Sequence, residues 1–218
     1  MITVWGEGRG FRVVWLLEEM GVPYRLRDVD LLAGAENDPE FLAINPSGFI
    51  PALQDGDVTM VESIAIMEYL MARHGHATTS VAPLCPDPND PAFGLYQQFL
   101  HLGEAGLAVF MYVYVITKNI APEAERDNWT SREVVDIFQN RLLLVSRQLE
   151  RTPYVAGETF TAADISITYA LEFARRSGGL TFGTNKQAYL ARTTARAGYK
   201  RAMEVCKATK AWAERVGG

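Results

Sequence analysis

Three short stretches of this sequence carry residues whose types and spacing suit chemistry. In 45-NPSGFIPALQDGDVTMVESIAIMEYL-70 an apolar strand gives way to an apolar helix, with a carboxylate, Glu62, and a hydroxyl, Ser63, at the junction. A helix start presents unpaired N–H groups and partial positive charge, which suits a ligand carboxylate. Ser63 adds a hydroxyl, and Glu62 can accept hydrogen bonds from an ammonium group, so the pair suits the head group of an α-amino acid. The same residues also fit a structural role, with Ser63 capping the helix and Glu62 solvated near its positive end.

The second stretch surrounds Pro51, which opens a strand at one of the few positions where a sheet tolerates proline. A cis Ile50–Pro51 bond would leave the N–H and C=O of Ile50 free to pair with a peptide-like ligand; an ordinary trans proline is the alternative. The third is 5-WGEGRGF-11, a glycine-rich entry to a helix with Arg9 inside it. Backbone N–H groups of Gly8, Arg9 or Gly10, with the Arg9 charge, suit an anion; an exposed arginine on a loop is the plainer reading. Glu7 would oppose such an anion.

These stretches require elements to hold them. Residues 2–5 and 24–30 read as strands around the helix 11–20, which Gly21 stops. A short helix at 39–44 follows, then two strands joined at Asp55-Gly56, a strong hairpin signal, then a helix from Ser63. Strand, helix, strand implies parallel pairing through a right-handed crossover, and the hairpin adds antiparallel strands. Residues 1–76 are therefore expected to form a thioredoxin-like α/β domain. Residues 77–91 hold four prolines and read as a linker. Residues 92–218 read as all-helical, with helices near 92–118 and 131–151, one after 160–164, and others from about Lys186.

A net charge of −5 in 218 residues argues against nucleic-acid binding, and 48% apolar content is ordinary for a globular chain. No apolar run approaches the roughly 20 residues of a membrane span, and the N-terminus lacks the layout of a secretory signal. Cys85 and Cys206 fit neither a CxxC nor a metal-ligand spacing. His101 and Glu104 share a helix face without a third ligand, and His74 and His76 look solvated, so no metal site is expected. A cytoplasmic protein without membrane or nucleic-acid partners is the economical expectation.

Taken together, NPSGFIPAL, the Asp-Gly hairpin and ESIAIMEYL resemble the N-terminal domain of the glutathione S-transferase family, in its bacterial-type, cytosolic form. The resemblance extends through 15-WLLEEMGVPY-24, and beyond the linker through 154-YVAGETFTAADISITYAL-171 and 189-YLARTTARAGYKRAM-203. Thr161 and Asp164 form a capping box there, with Phe160 and Ile165 as its hydrophobic staple, a folding device outside the active site. The resemblance implies that Ile50 pairs by its backbone with the cysteinyl part of glutathione, that Pro51 shapes the loop, and that Glu62 and Ser63 hold the γ-glutamyl end. It implies glutathione as co-substrate, a small hydrophobic electrophile or a peroxide as its partner, and a homodimer.

Two departures stand out. The region 5–11 lacks the Tyr, Ser, Cys or Asn by which such enzymes activate the thiol, leaving Gly8, Gly10 and Arg9. Phe49 stands where relatives carry a lysine for the glycyl carboxylate. Met111 and Tyr114, on an apolar stripe with Phe99, Gly103, Leu107 and Phe110, are the expected lining of an electrophile pocket between the domains. A binding protein of the same fold with little catalysis, or an interaction module without glutathione, are the rival expectations.

Overall fold

The computed structural model describes residues 1–30, 34, 37–75 and 83–207. These fall into two compact units: Met1–Pro83 with Arg196 and the helix after it, and Leu84–Ala195.

In the first unit four strands, β1 (Ile2–Trp5), β2 (Tyr24–Arg27), β3 (Ala52–Asp55) and β4 (Val58–Val61), form one sheet in the order β2-β1-β3-β4. β1 runs parallel to β2 and antiparallel to β3, and β3 pairs antiparallel with β4. Helix α1 (Phe11–Met20) makes the β1-to-β2 crossover and ends at Gly21, whose φ of 66° is left-handed. Helix α2 (Pro39–Ile44) begins at Asp38, whose carboxylate accepts the Phe41 N–H, and helix α3 (Ser63–His74) follows β4. Successive side chains on a strand point to opposite faces. Trp5 accordingly packs with Phe41, Val29 and Ala52 on one face, and Val4 is buried on the other. This is the thioredoxin-like α/β domain expected from the sequence.

The second unit is helical: α4 (Phe93–His101), a π-helical segment (Leu102–Ala108), α5 (Val109–Asn119), α6 (Trp129–Leu149), α7 (Ala162–Arg176) and α8 (Thr184–Thr194). The stretch Phe93–Asn119 is one continuous helix, long and apolar enough by length and composition to cross a membrane, against the expectation that no run approached that requirement. Half of its most apolar stretch is buried inside the protein, against α6 and α7. Gly103 makes the close approach to α7 possible, since a Cβ there would lie 2.2 Å from Ser166 Oγ. The capping box forms as expected: Asp164 Oδ2 accepts the Thr161 N–H at 2.9 Å, and Oδ1 takes Val155 N–H and the Tyr189 hydroxyl.

Helix α9 (Ala197–Val205) departs from the expected division at 92–218, because it packs on α1 in the first unit. Its ring contacts run from Tyr199 to Phe11 and Trp15. Arg196 forms a two-pronged ion pair with Glu19 at 2.8 and 2.9 Å, and Arg201 pairs with Glu18. The expected linker, 77–91, lies in part outside the described residues.

Candidate functional site

The sheet register gathers three expected site segments at one end of the first unit. Trp5 lies opposite Ala52, and Ala52 opposite Val61. The residues that leave the sheet there, Gly6, Pro51 and Glu62, therefore stand side by side across β1, β3 and β4. Strands sit about 4.8 Å apart, so Gly6 and Glu62 are separated by roughly 10 Å, the span of an extended tripeptide.

The glycine-rich entry to α1 and the proline turn are in direct contact. A Cβ on Gly6 would lie 2.2 Å from Ile50 Cγ2, and one on Gly8 2.9 Å from Ile50 Cδ1. One on Gly10 would lie 3.3 Å from Pro51 Cβ. Gly6 and Gly8 also hold φ of 82° and 47°, which side chains disfavour. The glycines thus let the loop lie flat on the Ile50–Pro51 turn. The Ile50–Pro51 bond is cis, and neither the N–H nor the C=O of Ile50 has a hydrogen-bond partner among the described residues.

At the start of α3 the N-cap is Glu62, not Ser63, and no side chain caps the helix. The plain capping role therefore does not hold for Ser63, which is the first helical residue, buried at 4% exposure. Its hydroxyl has no hydrogen-bond partner among the described residues. Glu62 is exposed and is the one non-glycine residue with positive φ among those described, φ 71° and ψ 104°. Such strain concentrates at ligand-binding positions.

The glycine loop itself is a 3-10 turn, Gly8–Gly10, leading into α1. Gly10 departs from its expected part as an anion donor, because its N–H donates to the Glu7 C=O at 2.5 Å. Arg9 is half-buried on this turn, and Glu7, two residues before it, is buried.

Comparison with known proteins agrees with this geometry. Residues 2–72 match the family model for the glutathione S-transferase N-terminal domain. Glutathione S-transferase 3 of Schizosaccharomyces pombe is 30% identical over 181 residues, covering 77% of this chain and 71% of that protein. Glutathione S-transferase 3 of Zea mays is 32% identical over 157 residues, covering 70% and 68%. The chain belongs to the glutathione S-transferase family. It is accordingly a transferase with glutathione as co-substrate.

Among solved structures, the theta class glutathione S-transferase of Xanthomonas axonopodis pv. citri, with glutathione bound, aligns with a TM-score of 0.74 at 27% identity. That alignment covers 92% of this chain and 96% of that one. A glutathione transferase of Methylococcus capsulatus shares the fold, with a TM-score of 0.80 at 21% identity and coverage of 95% and 100%.

Within this transferase several expected residues change meaning. Met111 is wholly buried in the helical unit, its Cε 2.7 Å from where a Gly178 Cβ would be, so it is core and not pocket lining. Tyr114 is half-buried, with the Lys118 ammonium 5.6 Å from its ring centroid. His74 is not merely solvated: its Nε2 lies 2.6 Å from Asp55 Oδ2, which also accepts the Tyr69 hydroxyl. His76 lies outside the described residues. The transferase's Cys206 thiol is buried, and burial, then the carboxylates of Glu7, Asp28 and Glu18, push its pKa far up. It is therefore not a nucleophile of its own. Among the described residues no three His, Cys, Asp or Glu side chains converge as metal ligands.

Sequence reasoning passed over Asn45. It is 3% exposed, closes α2 with its N–H on the Phe41 C=O, and bonds by its side chain across the loop that carries Phe49 and Ile50. The available signal was the Asn-Pro pair directly after a helix, a turn-forming combination.

Proposed function

We propose that this transferase conjugates the glutathione thiol to small hydrophobic electrophiles, and that it also reduces organic peroxides at glutathione's expense. The contact of the 6–10 glycine loop with the Ile50–Pro51 turn, at the same sheet end as Glu62 and Ser63, carries the reading. The cysteinyl backbone of glutathione pairs with the N–H and C=O of Ile50, beside the cis proline. The γ-glutamyl carboxylate meets Ser63 and the first amides of α3, and its ammonium meets Glu62. This arrangement directs the thiol toward the turn Gly8–Gly10 at the start of α1.

There the positive end of α1, the Gly8 and Arg9 segment and the Arg9 charge favour the thiolate. Gly10 serves the close approach to Pro51. In conjugation the thiolate sulfur attacks the electrophilic carbon, the carbon–halogen bond of an aryl halide breaks, and halide leaves. In peroxide reduction the sulfur attacks the terminal peroxide oxygen and releases an alcohol. A second glutathione then converts the sulfenic acid to disulfide and water. The protein acts as a cytoplasmic homodimer in detoxification.

The test is steady-state turnover with an activated aryl chloride and with an organic hydroperoxide, in wild type and Ser63→Ala. The reading predicts turnover of both by wild type, and a glutathione KM raised about tenfold or more in the variant, the scale of one lost charge-assisted hydrogen bond. An unchanged KM in Ser63→Ala overturns the placement of the γ-glutamyl group. Absence of turnover in wild type overturns the proposed chemistry.

A further inference from the structure

We infer that Asn45 is a positioning residue: it aims the N–H of Ile50 out of the loop and toward the cysteinyl carbonyl of glutathione. The inference rests on the reading above, in which Ile50 pairs with that part of the co-substrate. Asn45 is buried, and its side-chain amide is used at both ends. Oδ1 accepts the Ser47 N–H at 3.1 Å and the Ser47 hydroxyl at 2.7 Å. Nδ2 donates to the Phe49 C=O at 2.5 Å. This pattern fixes which end of the amide is which, since two donors meet the oxygen and a carbonyl meets the nitrogen.

The consequence follows from peptide geometry. The Phe49–Ile50 bond is trans, the cis bond being the next one along. In a planar trans peptide the C=O and the following N–H point in opposite directions. Asn45 draws the Phe49 C=O into the buried centre of the loop, and so turns the Ile50 N–H away from it. That N–H has no partner among the described residues. The Ile50 side chain is meanwhile seated against Gly6 and Gly8. Side chain and peptide plane are thus fixed by two separate contacts, and a donor is presented with its direction set before the ligand arrives. Preorganisation of this kind raises affinity by removing an ordering cost from binding.

Three variants and one exchange measurement test this. Asn45→Asp is isosteric and keeps an acceptor for Ser47, but sets an oxygen against the Phe49 C=O. Asn45→Ala removes both ends, and Ser47→Ala removes one acceptor contact and leaves Nδ2 on Phe49. Asn45→Asp and Asn45→Ala are expected to raise the glutathione KM about tenfold or more, with kcat at saturating glutathione within about twofold of wild type. That split distinguishes aiming from a general loss of fold, and Ser47→Ala should leave KM within about twofold.

In wild type, the Ile50 amide should exchange with solvent at least about tenfold more slowly once glutathione is bound, a readout that needs no variant to fold. Unchanged KM in folded Asn45→Asp, a rise in Ser47→Ala equal to that in Asn45→Asp, or Ile50 exchange indifferent to glutathione each overturns the inference. If those results come with Ser63→Ala still impaired, the glutathione site stands and only the role of Asn45 falls. If wild type binds no glutathione, both fall together.

Discussion

Replacing Gly6 by alanine should weaken both the fold and glutathione binding, and the structure supplies both the magnitude and a matched control. Gly6 has φ 82°, and its added Cβ would lie 2.2 Å from Ile50 Cγ2 and 2.6 Å from Ile50 Cβ. Left-handed backbone costs an alanine about 1–2 kcal/mol. Carbon atoms normally sit about 3.5 Å or more apart, so Ile50 must move by roughly 1 Å. Rotating the side chain does not relieve the contact with Ile50 Cβ, so the backbone of the turn must shift. Overpacking of this kind costs about 1–3 kcal/mol, for a total near 2–5 kcal/mol.

Gly21 has φ 66° and nothing within 4 Å of its added Cβ. Gly21→Ala therefore isolates the backbone penalty of about 1–2 kcal/mol. A shift of about 1 Å at Ile50 takes one or both of the hydrogen bonds proposed there with glutathione out of range. At about tenfold for each 1.4 kcal/mol, Gly6→Ala should weaken glutathione ten- to a hundredfold, whereas Gly21→Ala leaves it within about twofold. Urea denaturation and titration calorimetry with glutathione measure the two effects. Gly6→Ala with wild-type affinity, or Gly21→Ala with an equal loss of affinity, would refute the contact between loop and turn as the organiser of the site.

Other consequences follow from single residues. Glu62→Gly should remove the strain at φ 71° and raise stability by about 1 kcal/mol while glutathione affinity falls, opposite signs that denaturation and calorimetry separate. Arg196→Ala breaks the two-pronged pair with the nearly buried Glu19 and should cost about 2–3 kcal/mol, read as faster amide exchange across Ala197–Val205. Burial of the Asp164 carboxyl raises its pKa to about 6, against opposing hydrogen bonds from Val155, Thr161 and Tyr189. Because the folded value lies above the unfolded one, its contribution is fully present below about pH 4 and is lost as pH rises through about 6. Relative to Asp164→Asn, which does not titrate there, the wild type should lose about 3 kcal/mol over that window in urea titrations.

The first unit was legible in the sequence because its signals are local. Asp55-Gly56 is a hairpin turn and Gly21 a helix stop, and in the second unit Thr161 with Asp164 is a capping box, each set by a few neighbouring residues. The turn at Ile50–Pro51 was visible for the same reason. Partners distant in sequence were not visible. Nothing local tells that Tyr199 and Arg196 fold back onto Trp15 and Glu19, so α9 was expected among the other C-terminal helices. Met111 and Tyr114 share one apolar stripe, and only the approach of Gly178 shows that Met111 is core. Gly8 and Gly10 read as amide donors; the contacts of Gly6, Gly8 and Gly10 show them as the space that Ile50 and Pro51 occupy. His74 reached Asp55 across 19 residues, beyond any spacing rule.

The central claim is that a loop without a hydroxyl or thiol, Trp5–Phe11, favours the glutathione thiolate. The most direct measurement is the ultraviolet difference spectrum of enzyme-bound glutathione from acid to alkaline pH, in wild type and Arg9→Ala. The account predicts a thiolate band that titrates well below the ordinary thiol value of about 8.5, and a midpoint that moves upward in Arg9→Ala. Bound glutathione that titrates at its ordinary value in wild type would contradict it.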